Sequence, residues 1–164
     1  MKAWLDSMNL PRVAIFIGLY LFFCYLSIVL IHKPGQVTLF WPASGVALVY
    51  LVKYGLSWSI PLAIALLIMH TLFNPVSPTF LIFSLLSNMV GACIAAAYIR
   101  SLNLASFLST RTGFALLRAS ILMAMIGSLI GVTGMLVSGM LPMTDFWSAV
   151  AKWGIGDLLG IISV

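Results

Sequence analysis

Residues 116–141 read LLRASILMAMIGSLIGVTGMLVSGML. Beyond Arg118 the stretch has no charged side chain. At about 1.5 Å per helical residue it is long enough to cross a hydrocarbon core of about 30 Å. Its small residues are ordered. Ser120, Ala124, Gly127, Gly131, Gly134 and Ser138 follow at steps of four, three, four, three and four. They form one stripe with a period of about 3.5 residues, as in a left-handed helix pair. Gly127 and Gly131 also form a GxxxG pair. Lipid gives helices no hydrophobic reason to associate, so such a stripe is first a packing face. The reading is an all-α, polytopic membrane bundle.

The rest of the chain agrees. Of 164 residues, 63% are hydrophobic and 7% charged, whereas a soluble domain carries about 25% charged residues. Mean hydropathy is +1.19. That composition excludes a soluble enzyme or binding module, a coiled coil, a disordered tail and a disulfide scaffold. Cys24 and Cys93 both lie inside apolar runs and read as small buried hydrophobes, not as a disulfide or a metal pair.

Working outward, six apolar segments emerge, over 13–31, 38–54, 56–73, 79–99, 116–141 and from Phe146 onward. The first is too long for a signal peptide and no small-residue cleavage site follows it. The sixth runs through Ile161-Ile162-Ser163-Val164 without a basic stop. The expectation is one domain over 1–164, about six spans, continuing into a longer one. With a cytoplasmic N-terminus, Lys2, Arg12, Lys53, Arg100, Arg111 and Arg118 fall inside, and Lys33 and Lys152 outside. This matches the positive-inside rule, so the net charge of +5 is read as topology, with no nucleic-acid partner.

Few polar residues remain to carry function. Asp157 lies about 11 residues past Phe146, roughly mid-membrane. An ionised Asp there costs on the order of 2.5–3.5 kcal/mol, so it must be paired, protonated or facing a polar cavity. Trp153 and Gly160, four residues before it and three after, share its helix face with Gly156 adjacent, and the glycines permit close approach of a backbone or a ligand. Lys152 is about 140° around the helix, a poor partner that snorkels outward instead. The structural reading of Asp157 is an interhelical hydrogen bond; the functional one is a ligand, ion or proton site. Asn88 belongs to a second stripe, Ser84, Asn88, Gly91 and Ala95, and its amide also needs a partner in the bilayer.

Trp41-Pro42 opens the second segment, with Gly45 on the face of Trp41. Pro suits a first helical turn and Trp the headgroup interface. The alternative is a shortened helix whose free N–H groups line a pocket. His32 and His70 fall on one side of this topology, so the geometry allows a bis-histidine haem between them, but a lone His more commonly caps or hydrogen-bonds, and no cofactor is expected. His70 also suits a pH sensor. No metal-ligand cluster, phosphate loop or carboxylate pair is apparent, so no enzyme chemistry is expected of this chain.

Two motifs together resemble the bacterial membrane-associated sensor family, MASE, first type. Phe40-Trp41-Pro42-Ala43-Ser44-Gly45-Val46-Ala47-Leu48 is similar to that family's "WPPAG-and-apolar" opening. Trp153-Gly154-Ile155-Gly156-Asp157-Leu158-Leu159-Gly160 is similar to its "W-x-x-GD-x-x-G" helix. The Asn88 helix and the stripe from Gly127 to Gly134 fall in the corresponding order. The likeness covers residues 40–164. One stretch departs from it: the family's Gly-Arg-Arg and Trp-Pro after the second span are here Lys53-Tyr54-Gly55-Leu56-Ser57-Trp58-Ser59-Ile60-Pro61.

The resemblance implies an input domain of about eight spans in the bacterial inner membrane. A cytoplasmic output follows such domains: a histidine kinase of a two-component system, a diguanylate cyclase, a cyclic-di-GMP phosphodiesterase or a phosphatase. The leading expectation is a sensor for a small ligand or a membrane state, signalling through a shift in helix packing around Trp41, Asn88, Trp153 and Asp157. Its partners would be lipid, an unknown small ligand, an output module in the same or a partner chain, and a second copy in a homodimer. The alternatives are the substrate-binding subunit of a vitamin-type transporter and a structural membrane protein without a ligand.

Overall fold

In a computed structural model, residues 9–31, 39–103 and 109–164 are described, and they are helical with no strand among them. Six α-helices follow in order: α1 (Leu10–Ile31), α2 (Ala43–Tyr54), α3 (Ser59–Ile68), α4 (Pro78–Ser101), α5 (Thr110–Val137) and α6 (Phe146–Ile162). Single 3-10 turns at Leu56–Trp58 and Met143–Asp145 lead into α3 and α6, and a π turn at Met69–Phe73 closes α3. Lys2, Asp6, His32 and Lys33 lie outside the described residues.

Four stretches are long and apolar enough to cross a membrane: Leu10–Val29, Leu56–Phe73, Pro78–Ser101 and Thr110–Val137. They correspond to the first, third, fourth and fifth segments of the sequence. The second and sixth are different. α2 has 12 residues and α6 has 17, lengths of about 18 and 26 Å against a core of about 30 Å. In the second segment residues 39–42 stay outside the helix, because Pro42 has no N–H to continue a regular ladder. The six apolar segments thus become four long helical stretches, the third built from α3 and its flanking turns, and two short helices.

The buried faces follow the small-residue stripes. On α1, Phe16, Tyr20, Cys24 and Ser27 are buried at helical spacing, while Ile15, Leu19 and Phe22 point outward. Outward apolar side chains of this kind suit lipid rather than water. α4 and α5 are in close contact. A Cβ at Gly91 would stand 3.0 Å from the Met123 carbonyl oxygen, and one at Gly134 would collide with Phe83. Ser77 and Ser109 cap α4 and α5 by accepting from the Phe80 and Thr112 N–H groups.

Three of the described cations, Arg12, Lys53 and Arg100, gather at one end of the bundle with an aromatic cluster. The Arg12 guanidinium sits 5.8 Å and the Lys53 ammonium 5.2 Å from the centre of the Tyr54 ring. Arg100 Nη1 donates to the Val52 carbonyl at 2.8 Å. Phe16 and Tyr50 pack on Trp58, with ring centres 5.6 and 5.1 Å away. Gly55, at φ +107°, makes the corner between α2 and α3, where a side chain would be strained. The opposite end carries the turns over 74–77 and 138–145.

If the stripe on α5 sets helix approach, Gly134→Ala lowers stability by about 1–3 kcal/mol through overpacking. Gly18→Ala, where a Cβ meets nothing within 4 Å, leaves stability unchanged or raised. Thermal unfolding of the two variants in detergent checks the contrast.

Candidate functional site

Asp157 is buried on the inner face of α6, 5% exposed. Ser44, in the first turn of α2, donates its hydroxyl to Asp157 Oδ1 at 2.7 Å. Trp153, one helical turn back on α6, donates its indole N–H to Oδ2 at 3.1 Å. Among the described residues no cation stands beside the carboxyl, and Lys152 points outward and exposed. A carboxylate has about four acceptor positions, so two are left without a donor among the described residues.

The backbone makes this arrangement possible. The Trp41 N–H donates to the Gly156 carbonyl at 3.1 Å, so the chain ahead of α2 is docked directly on α6. Gly160 allows the approach, because any Cβ there would strike the Trp41 carbonyl and the Pro42 nitrogen. Gly45 faces the Gly160 carbonyl and the side chain of Val164 in the same way. Gly127 faces Asp157 Oδ2 and the Ser87 carbonyl, and Gly131 leaves room for the Trp153 ring. The glycines of α5 thus pack against the site on α6 as well as against α4.

A cavity of about 430 Å³ extends from Asp157 toward the turn over 74–77. Trp41, Trp153 and Phe80 are its aromatic walls, and Asn88, Ser84 and His70 supply polar groups. Its size is that of small-molecule sites in general. Asn88 Oδ1 accepts from the Tyr20 hydroxyl at 3.4 Å, and its amide donates to the Ser84 carbonyl at 2.9 Å. His70 Nδ1 is 3.3 Å from the Asn74 carbonyl, and Nε2 is 2.7 Å from Ser84 Oγ. A carbonyl only accepts, so Nδ1 carries a proton; in the neutral ring Nε2 then accepts from Ser84. The π turn, a feature common at functional sites, holds His70 in this position.

Of the residues singled out in the sequence, the structure brings Trp41, Asn88, Trp153 and Asp157 to one cavity. Pro42, Gly45 and Gly160 do not line it and instead form the crossing of α2 and α6. The haem pairing cannot be placed, since His32 lies outside the described residues, and His70 is engaged by Ser84 and Asn74. Cys24 is buried, Cys93 half-buried, and both are free thiols. Sequence reasoning passed over Ser44, Tyr20 and Phe80. Ser44 had a usable signal: a hydroxyl inside an otherwise apolar helix start, past the position where it could cap.

No family model, curated protein or solved structure matches this chain.

Removing the donor in Ser44→Ala destabilises the bundle by about 0.6–2 kcal/mol, the span for interhelical hydrogen bonds and for buried acceptors that lose a donor. Ser138 Oγ is buried with no partner among the described residues. Ser138→Ala therefore changes stability by no more than about 0.5 kcal/mol, or raises it. Denaturation of both variants in mixed micelles measures the difference.

Proposed function

We propose that this chain is a membrane-embedded sensory input domain whose receptor site is the cavity at Asp157, and that it relays occupancy to a cytoplasmic output module. One observation supports this reading above the others. A buried carboxyl with open acceptor positions lies at the inner end of a ligand-sized cavity, and its partner Ser44 is on a different helix. A ligand that fills those positions shares the carboxylate oxygens with Ser44 and Trp153. It thereby alters the contact between α2 and α6, the kind of discrete repacking that two-state sensors use.

The motif likeness to the first-type MASE domains supports the sensory role and suggests a histidine kinase or a cyclic-di-GMP enzyme as output. The same reading sets the membrane as the bacterial inner membrane. The clustered cations Arg12, Lys53 and Arg100 favour their end as the cytoplasmic one, with the cavity then opening outward. Span number follows the resemblance: about eight in the whole domain, of which this chain would supply the first part.

The test is Asp157→Asn in the full-length gene product, with cellular cyclic-di-GMP and kinase autophosphorylation as readouts. At least one output changes by about fivefold or more, a normal size for allosteric coupling, while the amount of protein in the membrane stays the same. Unchanged outputs at equal membrane levels overturn the sensor. Asp157-dependent solute uptake into proteoliposomes favours the transporter subunit instead.

A further inference from the structure

Asp157 supplies the cavity with a carboxyl group, and among the described lining residues there is no Lys or Arg to answer it. The other titratable side chain of the lining, His70, is engaged by Ser84 and the Asn74 carbonyl. Trp41, Trp153 and Phe80 stand around the space in front of Asp157. The Phe80 ring centre is 6.5 Å from that of Trp153 and 6.1 Å from that of His70.

Each feature narrows the ligand class. An anion would meet the carboxylate with no cation to offset it. A neutral molecule without a donor would leave the open acceptor positions of Asp157 unfilled in an apolar surrounding, which is unfavourable. A bare metal ion finds no group of three His, Cys, Asp or Glu among the described residues, and the cavity of about 430 Å³ is far larger than an ion. An ammonium group satisfies all three constraints. Its N–H groups fill the acceptor positions, its charge neutralises the carboxylate, and aromatic faces favour a cation held against them. The remaining apolar volume accepts a hydrocarbon or aromatic body.

Resting on the receptor reading above, we propose that the cavity binds a small organic monocation, an amine with an apolar body, its nitrogen at Asp157 and its body against Trp41, Trp153 and Phe80. The ammonium then shares the oxygens of Asp157 with Ser44 and Trp153, which links it to the position of α2.

The experiment uses the purified chain in phosphatidylcholine nanodiscs and equilibrium dialysis with phenethylammonium, with neutral 2-phenylethanol as its isostere and sodium chloride as competitor. Phenethylammonium binds saturably, and 2-phenylethanol at least about tenfold more weakly, a difference of about 1.4 kcal/mol. Asp157→Asn brings the two probes within about twofold of each other. Phe80→Leu, which leaves Asp157 and its donors in place, weakens amine and alcohol alike by about threefold or more, because both rest the same ring on Phe80. Equal affinities in the unaltered protein, no saturable amine binding, preference retained in Asp157→Asn, or displacement of the amine by equimolar sodium each overturns the amine class. The signalling output of Asp157→Asn reads the other level separately. If that output changes while amine and alcohol bind alike, the receptor reading stands and the ammonium ligand falls. If the amine is preferred through Asp157 and the output is unaffected, the site stands and the sensory role falls.

Discussion

The carboxyl of Asp157 constrains the rest of this bundle. A carboxyl group buried among apolar helices needs donors, and here they come from two elements: Trp153 on its own helix and Ser44 on α2. Bringing Ser44 within 2.7 Å forces the start of α2 onto α6. Two backbones can approach so closely only where side chains are missing, and Gly160 meets that requirement beneath Trp41 and Pro42. The Trp41 N–H, left outside any helix, then finds the Gly156 carbonyl. One polar requirement thus accounts for Gly160 and for the seating of α2 on α6, while Pro42 sets where α2 begins.

The cavity follows from the same break. Because α2 starts at Asp157 rather than at the far end of the bundle, the space beyond it is closed by other parts of the chain. The end of α3, the first turns of α4, the end of α5 and the Trp153 ring supply the walls. Polar groups in that space are tied to one another: His70 to Ser84, the Ser84 carbonyl to Asn88, and Asn88 to Tyr20. A chain of hydrogen bonds in a low dielectric is strong when complete and costly when broken. Such a chain is suited to hold one packing of α1, α3 and α4.

Much of this architecture was legible in the residues. The α5 stripe, read as a packing face, runs from Ser120 to Ser138, and its glycines meet Phe83, Ser87, Trp153 and Asp157. Trp41 and Asp157 were singled out from separate motifs, and the cavity joins them. The start of the second segment was legible as two alternatives, an anchored helix start or a shortened helix, and the proline that halts the backbone ladder ahead of Ala43 gives the short one. Ser44 was overlooked because a serine in an apolar helix ordinarily bonds its own backbone, as Ser27 and Ser120 do.

What the sequence determined by itself is local or additive: the helical class, the preference for lipid, the packing stripes, and the rule that Asp157 must have a partner. Periodicity and transfer free energy act over a few residues or over the whole composition, so one chain suffices to read them. The tertiary structure alone decided who the partner is. Ser44 and Asp157 are 113 positions apart, and no local preference encodes a hydrogen bond across that separation. It exists because Gly160 lets one backbone rest on another, a steric condition that is met only once the helices have packed.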